Sequence, residues 1–433
     1  MFNGLSTALQ RPPNGLFAHA MGAVRAGAAD QKRARGAHCQ AYPPARLLAD
    51  VDIGGYNHGV ETSARETLFG KTTAEIRDAV LALGLPAYRG TQVADWLYRR
   101  PQLGQGGGAC ADFSSMTNLP QDARARLAET FDPLPLVAGT THTDTRDGTT
   151  KILARLAQGD YPIECVLLPD DKRVSVCLST QVGCPMACAF CATGTQGLTR
   201  NLSAGEIVAQ FLLLQSRTER RISHVVLMGM GEPLLNYDAT LRAIHILNGE
   251  CGLAMRHITL STVGIVPAID RLAQENLQIT LAVSLHAPTD ELRSRLVPVN
   301  RTYPLARLMP ACRAYAQATH RRLTFEYVLL REVNDRPEDA RALAALLKGL
   351  PCAVNLIPYN PTPVSEPFAR PEPSRIAAFR AGLEASGLTV TQRKERGQQI
   401  AAACGQLVTD AARRPVKNAL PVLPAVLART GAA

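Results

Sequence analysis

From about Arg173 to Lys394, apolar strand-like runs alternate with helical stretches. This alternation constrains the fold more than any other feature of the chain. The strands read as Val174–Leu178, His224–Met228, Ile258–Ser261, Ile279–Leu285, Leu323–Leu330, Ala353–Pro358 and Leu388–Gln392, and the helices between them begin near Ser203, Tyr237, Val266, Pro304, Pro337 and Pro373. Repeated βα units build a parallel sheet with right-handed crossovers. The predicted class is therefore α/β, a complete or partial (β/α) TIM-type barrel. In such folds ligands bind at the carboxyl ends of the strands.

A different pattern precedes the barrel. Residues 66–133 read as a small helical domain: Ala74 to Leu83 is amphipathic, Val93, Trp96 and Leu97 fall at helical spacing, and Pro120 sits where a helix starts. Gly104 to Gly108 interrupts it as a loop. Residues 134–168 read as short strands that lead into the barrel, the whole unit running over 134–408. The segment 1–65, rich in Ala, Arg, Gly and Pro, reads as a disordered extension, an organelle targeting peptide or the result of an early start codon. The tail 409–433 is rich in Ala, Pro and Val.

Composition narrows the partners. Of 433 residues, 46% are apolar, enough for a large core, and the formal charge is +10. Excess Lys and Arg favour polyanions, because each neutralised phosphate releases counterions. No apolar run is long enough to span a membrane. Eleven cysteines in a chain of this length are too few for a disulfide scaffold. A reducing, cytoplasmic location is expected.

Three of those cysteines crowd into Cys184-Pro-Met-Ala-Cys188-Ala-Phe-Cys191, a C-x3-C-x2-C run placed in a loop after the first barrel strand. Thiolates are the natural ligands of iron–sulfur clusters. Three of them hold three irons of a cubane and leave the fourth open to a small ligand. A ferredoxin would add a nearby fourth cysteine, and structural zinc a closed set of four. Downstream, Gly229-Met230-Gly231-Glu232-Pro233 follows an apolar strand. There glycines allow close backbone approach, and Glu232 can accept hydrogen bonds from an ammonium.

The cysteine run, with an aromatic residue before its last Cys, is similar to the radical S-adenosylmethionine (SAM) superfamily. Longer stretches narrow the resemblance to the RlmN/Cfr family of adenosine methyltransferases: Val182–Leu202, Met228–Asp238, Ser284–Val299, Phe325–Asp335, Asn355–Pro361 and Ala402–Leu407. The resemblance covers roughly residues 72–408. It implies a 4Fe–4S cluster on Cys184, Cys188 and Cys191, and SAM held by Gly231, Glu232, Ser261, Ser284, Leu285, His286 and Asn360. It also implies that Cys404 is the cysteine methylated during turnover, Cys177 the resolving cysteine and Glu164 the general base. Taken singly, Cys177 on a strand and Cys404 in an Ala-rich helical run would read as core residues. Cys39, Cys110, Cys165, Cys251, Cys312 and Cys352 lack any such context and read as structural.

The family's chemistry follows from its target. The adenine carbons C2 and C8 are electron-poor and do not attack an electrophilic methyl group. The family's solution, which the resemblance implies for this chain, uses two SAM molecules: one methylates Cys404, and a second is cleaved to a radical that activates the S-methyl group for addition. Glu164 helps remove the ring proton, and Cys177 then frees the product through a transient disulfide. The implied partners are RNA (23S rRNA, tRNA or both) and an electron donor such as flavodoxin or ferredoxin, acting on a monomer. One departure stands out: the family's acidic G-D-D-I-D pattern reads Gly397-Gln398-Gln399-Ile400-Ala401 here. A paralogue with a shifted RNA target, a C8 methylase, a glycyl-radical activator and a non-catalytic RNA-binding protein with a structural cluster remain as alternatives.

Overall fold

The computed structural model describes residues 65–99, 112–132, 134–362 and 368–407. The extension before residue 65, the Gly104–Gly108 loop, the tail from 409, and Cys39 and Cys110 lie outside the described residues.

Three helices lead: α1 (Thr73–Ala82), α2 (Ala87–Ala94), which runs into a π-turn over Asp95–Arg99, and α3 (Gln121–Thr130). A capping box starts α1, with the Thr72 hydroxyl on the Glu75 amide and the Glu75 carboxylate on the Thr72 amide. Buried Tyr98 ties the entry loop together, accepting from the Gly70 amide (3.1 Å) and donating to the Lys71 carbonyl (2.7 Å).

Next comes an antiparallel meander, β1 (Leu136–Thr143), β2 (Thr150–Leu156) and β3 (Pro162–Pro169), which pairs antiparallel with β4 (Val174–Cys177). A two-stranded hairpin follows, β5 (Gln181–Cys184) and β6 (Gly197–Asn201). Then come α4 (Ala204–Gln215), β7 (His224–Leu227), α5 (Tyr237–Gly249), β8 (Ile258–Thr262), α6 (Val266–Gln274), β9 (Thr280–Ser284), α7 (Asp290–Leu296), α8 (Leu305–Thr319), β10 (Leu323–Leu329), α9 (Pro337–Leu347), β11 (Cys352–Pro358), α10 (Pro373–Ala385) and β12 (Thr389–Gln392). Strands β4, β7, β8, β9, β10, β11 and β12 pair in that order, all parallel.

The sheet stays open, since β1 and β12 end it on opposite sides. Yet Cys177 of β4 and Arg393, one residue past β12, line the same cavity. The parallel strands therefore curl toward each other, which is a partial barrel. Burial explains the strand sequences: the first, third and fifth residues of β8 are buried, and β11 is buried at six of its seven positions. Helix α4 is buried all round, and its three polar side chains are each paired: Glu206 with Arg200, Gln210 with the Ser179 backbone, and Gln215 with the Ile222 amide and the Arg220 carbonyl. The leading helices dock on the barrel through an Arg242–Glu75 ion pair and through Thr73, whose amide and hydroxyl both donate to Glu250. No described helix is long and apolar enough to cross a membrane.

Two local expectations are corrected. Cys184 does not lie in a loop but closes strand β5, where Gly183 at φ +79° lets the backbone pass within contact of Gly197. Cys404 does not lie in a helix. Gly397 and Ala401, both left-handed, bracket one short 3-10 turn, and the chain then crosses the barrel mouth without regular structure.

Candidate functional site

The carboxyl ends of the parallel strands surround a cleft of about 920 Å³, mouth included, a size that suits a small-molecule cofactor. The β5–β6 hairpin brings Cys184, Cys188 and Cys191 to one side of it. Gly231 and Glu232 arrive from the turn after β7, Ser261 from β8, Ser284 and His286 from the end of β9, and Asn360 from beyond β11. Burial pushes the Cys184 thiol up to about 12 and raises Cys188 and Cys191 as well, with a neighbouring sulfur adding to each: Cys191 to Cys184 and Cys188, and Cys404 to Cys191. Such a trio ionises readily only with a cationic partner. Among the described residues no three His, Cys, Asp or Glu groups converge on a point as a single ion requires. Three thiols on one hairpin, one for each of three irons, suit a multi-iron cluster.

The opposite wall suits SAM. Glu232 accepts from the Leu234 amide (3.0 Å) and the Val263 amide (2.8 Å), and burial lifts its carboxyl to about 7. A bound ammonium would relieve that cost. His286 sits at φ +60° with Nδ1 accepting from the Val328 amide (3.1 Å). The proton is thereby fixed on Nε2, and burial drops the ring to about 3, so the imidazole is neutral. The Oδ1 of Asn360 is buried with no hydrogen-bond partner among the described residues. A buried polar atom of this kind calls for a ligand. Leu285 differs from its neighbours: its side chain is fully buried elsewhere, and its carbonyl accepts from Arg293 (3.2 Å).

A second cavity adjoins the first, sharing Met228, Ile357, Asn360, Arg393 and Cys404 with it. Cys177 and Cys404 both open on it. Arg393 Nη1 donates to the Cys404 sulfur at 3.1 Å and approaches the Met228 sulfur at 3.7 Å. Burial pushes Cys177 up to about 12. All nine described cysteines are free thiols, the four read as structural (Cys165, Cys251, Cys312 and Cys352) being buried.

The turn that carries Cys404 is held by distant groups. Ala192 donates its amide to the Gly405 carbonyl (2.8 Å), and the Thr193 hydroxyl donates to the Leu407 carbonyl (2.6 Å). On the other side, Asp147 accepts from the Gly397 amide (3.0 Å), Asp144 accepts from the Gln399 amide (3.3 Å), and Lys151 donates to the Ala401 carbonyl (3.2 Å). In this chain the carboxylates around the 397–401 segment thus come from the β1–β2 turn.

Glu164 stands apart from the other candidates. It lines neither cavity, and its carboxylate pairs with Lys151 at 2.9 Å. It does share a face of β3 with Val166 and Leu168, and Leu168 forms part of the second cavity's wall. The sequence reading did not single out Arg393, Met228 or Lys151. Arg393 and Met228 had a signal, since each directly follows a barrel strand. Lys151, on a meander strand, had none.

Residues 178–344 match the radical SAM superfamily, and residues 67–132 match the ribosomal RNA large subunit methyltransferase N-terminal domain. The chain is 48% identical over 354 residues to a protein of Symbiobacterium thermophilum named "Probable dual-specificity RNA methyltransferase RlmN", covering 81% of this chain and 93% of that one. It is 48% identical over 340 residues to a protein of the same name from Thermosynechococcus vestitus, covering 78% and 97%. A crystal structure of a radical SAM methyltransferase from Sphaerobacter thermophilus superposes with a TM-score of 0.75 at 48% identity, over 79% of this chain and 99% of that one.

Proposed function

The chain belongs to the RlmN family of radical SAM RNA methyltransferases, and from that premise we propose that it methylates an adenosine base of 23S rRNA or tRNA at C2, with Cys404 carrying the methyl group. The observation that carries this reading is the pair of adjoining cavities. Three thiols line the first, two distant thiols open on the second, and Cys404 reaches both.

Cys184, Cys188 and Cys191 would hold the 4Fe–4S cluster that this family uses. Gly231, Glu232, Ser261, Ser284, His286, Asn360 and the Leu285 backbone would hold SAM. When bound, these cofactors supply a methyl group in one event and an organic radical in another, so each turnover consumes two SAM molecules. The residues do the rest. Arg393 fixes the Cys404 sulfur at the junction of the cavities, where it accepts the methyl group. The apolar wall of the second cavity (Leu168, Ile357, Pro358, Ala402) receives a base unstacked from its neighbours. Glu164, on the strand beneath that wall, removes the ring proton once it parts from Lys151. Cys177 then attacks the Cys404 sulfur and releases the methylated base through a transient disulfide. The leading helical domain and Lys394, at the rim of the second cavity, hold the RNA phosphates. A flavodoxin- or ferredoxin-type donor supplies electrons. The enzyme works as a monomer in the cytoplasm, where thiols stay reduced.

The test is anaerobic reconstitution with iron, sulfide, SAM, a reductant and RNA. Formation of 5′-deoxyadenosine, a methyl group on Cys404 and 2-methyladenosine in the RNA is expected. In a Cys177→Ala variant, RNA should accumulate covalently on Cys404. An unmethylated Cys404 in an enzyme that still modifies RNA would end the proposal, and 8-methyladenosine as product would move it to C8, the carbon of the five-membered ring.

A further inference from the structure

Among the described residues, Arg293 is the bulkiest side chain that the fold buries completely. Its guanidinium donates from Nε to the Leu285 carbonyl (3.2 Å), from Nη1 to Asn300 Oδ1 (2.8 Å), and from Nη2 to the Val263 (2.7 Å) and Ser284 (3.1 Å) carbonyls. Every one of these acceptors is neutral. The nearest acid in the network, Asp290, lies one amide farther out, accepting from Asn300 Nδ2 at 2.9 Å. A buried charge without an opposite charge costs several kcal/mol, and proteins keep one where an anion compensates it. Burial pulls Arg293 down to about 10 against the raising influence of the Cys188 sulfur first, then of Cys312 and Asp290.

The placement points the same way. Val263 is shared: its amide donates to Glu232 inside the cleft, and its carbonyl accepts from Arg293 behind it. The Ser284 carbonyl also accepts from Arg293, and the Ser284 side chain lines the cleft. The Ala189 amide, between Cys188 and Phe190, donates to the Leu296 carbonyl at 3.0 Å, which ties the cysteine hairpin to the helix that bears Arg293.

We propose that Arg293 is the built-in counter-charge of the iron–sulfur cluster, fixed behind the Val263–Ser284 wall so that it favours the reduced, more negative state. This rests on the reading that Cys184, Cys188 and Cys191 hold that cluster. Reduction adds one electron from an external one-electron donor and moves no proton, since the guanidinium stays protonated throughout. Its hydrogen bonds lock its position, so the charge needs no reorganisation when the electron arrives. In a low-dielectric interior a fixed cation of this kind raises the reduction potential of a nearby centre.

The experiment uses the reconstituted holoenzyme in three forms: wild type, Arg293→Gln and Arg293→Lys. Each is titrated with a reductant, and reduced cluster is counted by electron paramagnetic resonance. At the wild-type midpoint the ratio of reduced to oxidised cluster should fall about tenfold in Arg293→Gln, a shift of about 59 mV for a one-electron couple. Arg293→Lys should stay close to wild type. An unchanged midpoint in Arg293→Gln, or an equal shift in both variants, overturns the proposal. If Arg293→Gln loses the cluster during reconstitution, iron content decides: retention in Arg293→Lys supports the charge role, and equal loss in both refutes it. A wild-type protein that takes up no cluster would instead refute the ligand assignment of the three cysteines, a separate failure.

Discussion

The two adjoining cavities are built by opposite strategies. The cofactor cleft draws most of its walls from the cysteine hairpin and the ends of five parallel strands, which the backbone ladder positions before any side chain acts, and borrows only Arg393, Cys404 and Gly405 from the C-terminal segment. The second cavity owes one wall to residues 393–407, which form no helix or strand beyond a single 3-10 turn. That wall stands because Asp144, Asp147, Lys151, Ala192 and Thr193 reach it from far away in sequence. The difference teaches where tolerance should lie. The cleft is set by the fold itself, whereas the second cavity is set by a handful of tethers that single substitutions can cut.

The sharpest break in this comparison comes from the cleft. Cys184→Ala should abolish the iron–sulfur absorbance and all SAM cleavage while circular dichroism stays native, since the hairpin keeps its strand pairing. A brown, active variant would remove Cys184 from the ligand set. On the other side, Glu164→Gln should slow RNA methylation by ~10²- to 10⁴-fold, the usual scale for a lost general base, while SAM is still cleaved. Undiminished methylation would show that Glu164 is only the partner of Lys151. Third is a pH effect on the cluster-free protein. Glu232 has its carboxyl raised from 4.5 to about 7, so the folded state binds that proton more tightly than the unfolded chain does. Stability should therefore fall as pH rises from 4.5 to 7, by about 3 kcal/mol for this group. Glu232→Gln should flatten that stretch of the melting curve against pH, and a variant with the wild-type slope would place the effect elsewhere. The smallest effect belongs to the rim. Lys394→Ala should reduce the slope of log affinity against log salt by ~0.7 for a single-stranded RNA contact, read by fluorescence anisotropy. An identical slope would take Lys394 out of the RNA path.

The same contrast explains what could be read from the chain. Six of the seven barrel strands were legible because strands inside a parallel sheet are largely apolar runs, and β12, exposed but for Val390, was legible from its β-branched residues after a helix; strand-end residues such as Ser261, Ser284 and His286 inherit their place from the pattern. Helix α7 escaped because its seven residues are polar outside Leu292 and Leu296, and its one buried charged side chain, Arg293, carries no periodic signal. The C-terminal segment was misread as helical from its alanines. Gly397 and Ala401 adopt left-handed backbone there, and the side chains that hold the turn lie roughly 200 to 250 residues upstream. No local window of sequence contains such tethers.

Strand β12 has a neighbour on one side only, and just four residues of it pair with β11. The ladder bonds of a short outer strand open at lower free energy than those of the sheet interior. Amide hydrogens of Thr389 to Gln392 should thus exchange ahead of those in β8 and β9. The segment that carries Cys404 follows this outer strand and is held by side-chain and backbone tethers, whereas Cys177 is anchored in the sheet between β3 and β7. On the proposed reading, in which the two sulfurs meet and part, one sits on a strand paired on both sides and the other on the segment that follows the sheet's outer strand.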